Sequence, residues 1–147
     1  IMVKTNTIDA QIKSAWHNMF KMYNQVAAKY GTTQATGLVL LSIDREGTPS
    51  TSIAPNLGLE ATSMSRIIKT LEENNLIYKK KDRKDKRVVR LFLTPEGVEK
   101  RKIAKQVVSG FNELIEEEIS HSKLSIFFEV MGDVNRVIEK YKEQNEE

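Results

Sequence analysis

The chain contains no cysteine at all. That removes disulfides, thiolate metal sites, cysteine nucleophiles and thiol redox sensing in one stroke. Histidine is nearly as scarce: His17 and His121 lie 104 positions apart, with no carboxylate cluster beside either. No metal site and no cofactor are expected from this inventory. Only three prolines and seven glycines interrupt 147 residues, and no glycine-rich loop of the phosphate-cradling kind occurs among them. Nor does any stretch approach the roughly 18 consecutive apolar residues of a membrane span. The most apolar run, Leu38 to Ile43, reads as a short buried helix. The start, IMVKTNT, has neither a long apolar region nor a small-residue cleavage site, so no secretory leader is expected and the cytoplasm is the expected compartment. With no convincing acid–base pair either, an enzyme reading has no support.

Charge is what the chain has, unevenly placed. In KKKDRKDKRVVR, Lys79 to Arg90, eight of twelve residues are Lys or Arg and two are Asp, a local balance of +6; the whole chain is +3, which leaves −3 on the other 135 residues. Such a run is either a disordered basic stretch or a folded device that holds positive charge against a polyanion.

Its surroundings favour the second. Upstream, Ile8, Ile12, Trp16, Met19, Tyr23, Val26 and Tyr30 recur in steps of three and four, which predicts one amphipathic helix ended by Gly31. A central helix is expected over about Thr33 to Asp44, closed by the turn REGTPS. A short helix then starts after Ser50 as its N-cap, and Leu57-Gly58-Leu59 makes a tight turn. The following helix runs from about Glu60 to Asn74 with Met64, Ile67, Ile68 and Leu71 on one face. Two short helices joined by a glycine-containing turn read as helix-turn-helix. Leu76-Ile77-Tyr78 begins a strand, and Val88 to Leu93 alternates as a second one, with Val89, Leu91 and Leu93 sharing a face. The basic run is therefore the tip of a β-hairpin. Thr94-Pro95 stops the strand and opens a helix, Thr as N-cap and Pro at the first position. That helix should reach about Ile119 with an interruption at Gly110, and a last helix should start near Ser122. In it Leu124, Phe127, Met131, Val134, Ile138 and Tyr141 keep a seven-residue repeat.

The expected fold class is mainly α with a small β-hairpin wing, an α+β winged helix-turn-helix over 32–96, flanked by a helical dimerisation region formed by 1–31 and 97–147. Duplex DNA is the polyanion that such a basic hairpin suits, because phosphate neutralisation releases counterions. On the second helix of the motif, Thr62, Ser63, Ser65, Arg66 and Lys69 are the polar residues placed to enter a major groove. Arg66 alone suits bidentate reading of guanine. Thr62 and Ser63 have a plainer alternative as helix-start caps, and Lys69 as a solvated face. Ser50 and Thr51 can bond phosphate, while Lys79 to Lys81 meet phosphate or only solvent.

The segment EATSMSRIIKTLEENNLIYKKKDRKDKRVVRLFLTPEG resembles the core signature of MarR-type transcriptional regulators. The features that carry it are Ser65-Arg66 in the recognition helix, the exit Leu71-Glu72-Glu73 leading to Leu76-Ile77, the wing Asp85-Lys86-Arg87, and Leu93-Thr94-Pro95-Glu96-Gly97. The order and length of the flanking helices extend the resemblance over nearly the whole chain. Two departures stand out. Asn75 replaces the family's usual Gly, and Pro55 lies inside the short supporting helix, which is then expected to be only about two turns long or distorted.

The resemblance implies a homodimeric repressor on a pseudo-palindromic operator. Arg83, Lys84, Lys86 and Arg87 would be its wing contacts, Arg87 or Arg83 the minor-groove probe and Asp85 the brace. It implies dimerisation through Ile8, Ile12, Leu124, Phe127, Met131, Val134 and Ile138. It also implies a small aromatic or anionic effector beside Trp16, His17, Phe20 and Tyr23; alternatively Trp16 and Tyr23 are core or dimer contacts, and His17 is a surface or a pH-sensitive residue. The missing cysteine excludes peroxide sensing of the family's cysteine type. The competing reading, from another class, is a winged-helix protein–protein interaction module without specific DNA binding.

Overall fold

The computed structural model describes residues 6–146; the IMVKT start, read above for a leader, and the final residue lie outside the described residues. Helix α1, Ile8–Ala28, is opened by Thr7, whose hydroxyl accepts from the Ala10 N–H at 3.2 Å. It ends two residues before the predicted Tyr30, and Gly31 follows in the left-handed region at φ 72°. Helix α2, Gln34–Leu41, is capped by Thr33 and tied to α1 by the Gln34 N–H, which donates to Asn24 Oδ1 at 3.0 Å. It ends three residues earlier than expected. Ser42 closes it, donating both its backbone N–H and its hydroxyl to the Leu38 carbonyl, at 3.1 and 2.8 Å. The expectation that this segment is central holds: Val39, Leu40 and Ile43 are all buried.

The helix-turn-helix follows. Strand β1 is Thr48–Pro49 and helix α3 is Ser50–Leu57. Ser50 is not the N-cap that the sequence suggested; Pro49 occupies that position, without a side-chain cap bond, and the Ser52 hydroxyl donates to the Pro49 carbonyl at 2.8 Å. A proline with ψ of 128° makes the extended-to-helical entry by itself, so Ser50 is already helical. Pro55 sits inside α3, which has two turns as expected. Gly58 leaves it at φ 66°, with the Leu59 N–H donating to the Ala54 carbonyl at 3.0 Å.

Helix α4, Ala61–Glu73, then runs with Met64, Ile68 and Leu71 buried and Ile67 half-buried, the predicted face. Glu60 is its N-cap. Asn75 takes the left-handed conformation (φ 59°) that the departure from glycine left to it, and the Leu76 N–H reaches back to the Leu71 carbonyl at 2.9 Å.

Strands β2, Ile77–Lys81, and β3, Val89–Leu93, form the hairpin, with Ile77 opposite Leu93 and Lys81 opposite Val89. The sheet has three strands in the order β1-β3-β2, all antiparallel. Strand β1, expected only as part of a turn, pairs Thr48 with Leu91 and Pro49 with Arg90. Two residues offer no alternation to read, and a proline is tolerated because this is an edge. The core consists of Val39, Leu40, Ile43, Ile53, Met64, Ile68, Leu71, Ile77 and Leu91, so it joins α2, α3, α4 and the hairpin.

Helix α5, Pro95–Glu118, starts as predicted. The Thr94 hydroxyl accepts from the Gly97 N–H at 3.0 Å and donates to the Asn75 carbonyl at 2.7 Å. Gly110 does not interrupt it; a lone glycine weakens a helix without breaking its hydrogen bonds. Helix α6, His121–Gln144, begins one residue earlier than expected because Ser120 is the N-cap, accepting from the Lys123 N–H. The chain divides into two compact units, Ile1–Val107 and Val108–Glu147. No described helix is long and apolar enough to cross a membrane.

Candidate nucleic-acid interface

With Met64, Ile68 and Leu71 turned into the core, the opposite face of α4 is left to Thr62, Ser63, Ser65, Arg66 and Lys69, and all five are exposed. Neither Thr62 nor Ser63 caps the helix, which starts without any side-chain cap bond. Ser65 donates its hydroxyl proton to the Ala61 carbonyl at 3.0 Å, which leaves its oxygen to act as an acceptor. Arg66 and Lys69 have no acidic partner among the described residues. On α3, Ser50 is half-buried and Thr51 exposed, both at the helix N-terminus.

The hairpin carries the second group of cations. Arg83, Lys84 and Lys86 lie at its tip, exposed, and without acidic partners among the described residues. Arg87 differs: its backbone N–H and Nε both donate to Asp85 Oδ1, at 3.1 and 3.0 Å, and Nη2 donates to Oδ2 at 3.2 Å. Of the two expected probes, Arg83 is thus unengaged and Arg87 is held. Lys79, on β2, pairs with Glu72 of α4 at 3.2 Å, which leaves less of its charge for a polyanion.

Asp85 therefore holds Arg87, but a second carboxylate does more for the tip. Asp82 Oδ2 accepts from the backbone N–H groups of Lys84 and Asp85 at 3.0 and 2.9 Å, and Oδ1 accepts from Arg90 Nε. The Asp85 amide and then the Arg90 guanidinium hold the Asp82 carboxyl down to about 2. The Arg87 side chain and backbone likewise lower that of Asp85. Arg90 continues across the sheet, where Nη1 donates to the Gly47 carbonyl at 3.1 Å. Sequence reasoning missed Asp82, Arg90 and Gly47. An Asp at the start of a turn, with amides two and three residues on, was a readable signal for the first. Nothing local could join Arg90 to a carbonyl 43 positions away.

On the sheet face away from the core, Tyr78 and Phe92 stack with ring centroids 5.3 Å apart, and Gly47 (φ 86°) lies under Phe92, where an added Cβ would come 2.5 Å from the ring. Beside them an open cleft of about 560 Å³ is lined by Glu46, Lys80, Lys81, Asp82, Arg83, Lys84, Arg90 and Phe92.

Away from the wing, Ile8, Ile12, Trp16 and Phe20 are exposed along α1, Trp16 by 52%. His17 is exposed as well, whereas Tyr23 is half-buried and burial pushes its phenol above the ordinary value. On α6, Leu124, Met131 and Val134 are half-buried and Phe127 and Ile138 exposed. Ile126, Phe128, Val130 and Val137 are exposed beside them, so the apolar surface of α6 is wider than the heptad stripe alone.

The model of the MarR family matches residues 32–89, the stretch from α2 through the wing tip. No curated protein matches the chain in sequence. Solved structures match its fold. The transcriptional regulator SlyA is 20% identical with a TM-score of 0.79, over 94% of this chain and 98% of that one. MepR of S. aureus, solved as a DNA complex, is 18% identical with a TM-score of 0.74, over 91% and 98%. CouR of Rhodococcus jostii RHA1, solved with p-coumaroyl-CoA, is 20% identical with a TM-score of 0.77, over 88% and 92%. The match to the MarR family model takes in both α4 and the basic tip, and the solved structures share the fold over most of the chain.

Proposed function

We propose that this protein is a homodimeric, sequence-specific DNA-binding transcriptional regulator that represses from a pseudo-palindromic operator. The observation that carries the reading is the pairing of two cationic surfaces without acidic partners. One is the polar face of α4 with Arg66 and Lys69; the other is the wing tip with Arg83, Lys84 and Lys86. In this reading α4 enters the major groove and Arg66 reads guanine. The tip lies along the minor groove, whose negative potential draws cations. Ser50 and Thr51 bond phosphate. The MepR–DNA complex, of the same fold, supports this reading.

Residues 1–31 and 97–147 form the dimerisation region, through the apolar faces of α1 and α6. One copy leaves Ile8, Ile12, Phe127 and Ile138 in water, and a two-fold partner that covers them would place two recognition helices on one operator. A small aromatic or anionic effector, held beside Trp16, His17, Phe20 and Tyr23, releases the DNA. The p-coumaroyl-CoA bound to CouR supports an effector of that chemistry. The protein acts in the cytoplasm and by binding, without catalysis.

Genomic fragments selected by the purified protein at rising salt test the proposal. The expected result is enrichment of an inverted repeat with half-sites about one helical turn apart. Equal retention of all fragments, lost together at moderate salt, would sink it.

A further inference from the structure

Arg90 does not behave like the other cations of the wing. It lies on β3, the middle strand, opposite Lys80 on β2 and Pro49 on β1. A cation directly opposite another is unfavourable in a sheet, yet the Arg90 side chain is only one-third exposed and its guanidinium is engaged at both ends. One end holds Asp82, whose side chain is 18% exposed and whose other oxygen caps the tip amides of Lys84 and Asp85. The other end holds the Gly47 carbonyl.

Gly47 is itself fixed. Its N–H donates to the Asp44 carbonyl at 3.0 Å, the Asp44 N–H donates to Thr48 Oγ1 at 2.9 Å, and the ring of Phe92 covers it. That turn follows directly from Ile43 of the core. Arg90 thus spans from the body of the winged domain to the base of the tip. The strand pairing ends at Lys81 opposite Val89; beyond it the Asp82 N–H still donates to the Val88 carbonyl at 2.9 Å, and among the described residues the Asp82–Arg90–Gly47 chain adds a side-chain link from the tip to the body.

We infer that Arg90 is a positioning residue: it sets the height and angle of the wing cations relative to α4 without touching DNA. The inference deepens the DNA-binding reading and rests on it. A forked guanidinium holds two acceptors in fixed geometry, which a lysine ammonium does not reproduce. Arg90→Lys therefore keeps the charge and loses the positioning, while Arg90→Leu loses both.

The test uses the full-length protein on its selected operator, with two footprints and a salt titration. In Arg90→Lys and Arg90→Leu, minor-groove protection flanking each half-site is expected to be lost, while protection of guanine N7 under α4 persists. The slope of log K against log salt should flatten by about two for each wing cation disengaged in both protomers, up to about five in all. An Arg90→Lys footprint and slope equal to wild type, with binding lost only in Arg90→Leu, would make Arg90 a mere charge and overturn the inference. So would unchanged footprints in both.

If the wild-type protein selects no operator, the functional reading fails separately. Amide hydrogen exchange of residues 82–88 in the free protein then decides the positioning. Exchange at least tenfold faster in Arg90→Lys than in wild type upholds it, and equal exchange overturns it.

Discussion

Gly97 and Gly110 lie on one helix and should respond to the same substitution with opposite signs. Gly97 is buried where α5 begins, and a Cβ built there overlaps the backbone carbonyl oxygen of Leu76. Its backbone is ordinary helix, so the obstacle is space and not conformation. The obstructing atom cannot swing away as a side chain would, because the same carbonyl accepts from the Thr94 N–H at 3.0 Å. Gly97→Ala must push α5 off the start of β2 or break the Thr94 cap. Overpacking of this kind costs about 1–3 kcal/mol, and a backbone obstacle belongs at the upper end. At about 2–4 °C per kcal/mol for a chain of this size, the melting temperature should fall by several degrees. Gly110 is exposed and a Cβ there meets nothing within 4 Å. Gly110→Ala gains about 0.8–1.0 kcal/mol of helix propensity and should raise the melting temperature by about 2–4 °C. Paired thermal melts at one protein concentration settle it. Equal destabilisation by both variants, or no loss for Gly97→Ala, would refute the spatial argument.

Three further outcomes follow from the site. The Asp82 carboxyl titrates near 2 in the folded protein against an ordinary value of about 3.9. The order it gives the tip is therefore complete above about pH 4 and is lost as pH falls through about 2; the amide shifts of Lys84 and Asp85 should titrate with that low midpoint and stay flat near neutrality. Arg66→Ala should lose about 1–3 kcal/mol of operator affinity and relax preference at one base position per half-site, read by competition against single-base operator variants. Phe127→Glu should shift the protein toward monomer in sedimentation while leaving the winged domain's thermal transition in place, since the ring is 54% exposed in the single chain.

The fold was legible wherever one side of an element had to be apolar. The face of α4, the stripe of α1 and the alternation around Leu91 were all read from spacing, and Asn75 and Gly58 from their turns. Short elements and bonds between distant residues were not legible. Strand β1 has two residues and no pattern of its own. Gly110 looked like a break because glycine is a poor helix former, but one weak residue does not offset the neighbouring hydrogen bonds. At the site, the polar face of α4 and the tip cations could be named from residue type and position. That Lys79 is paired with Glu72, Arg87 with Asp85 and Arg90 with Asp82 and Gly47 depends on distances that only the folded chain supplies.

The most direct test of the central claim is the salt dependence of binding to the selected operator. Arg66, Lys69, Arg83, Lys84 and Lys86 have no acidic partner among the described residues, and a dimer doubles them. If Lys69, Arg83, Lys84 and Lys86 each neutralise one phosphate while Arg66 reads a base, log K should fall with a slope of about −7 against log salt, and a scrambled duplex should bind far more weakly. A slope shallower than about −3, the same for operator and scrambled DNA and unmoved by Arg66→Ala, would contradict the account and favour a winged module that binds protein.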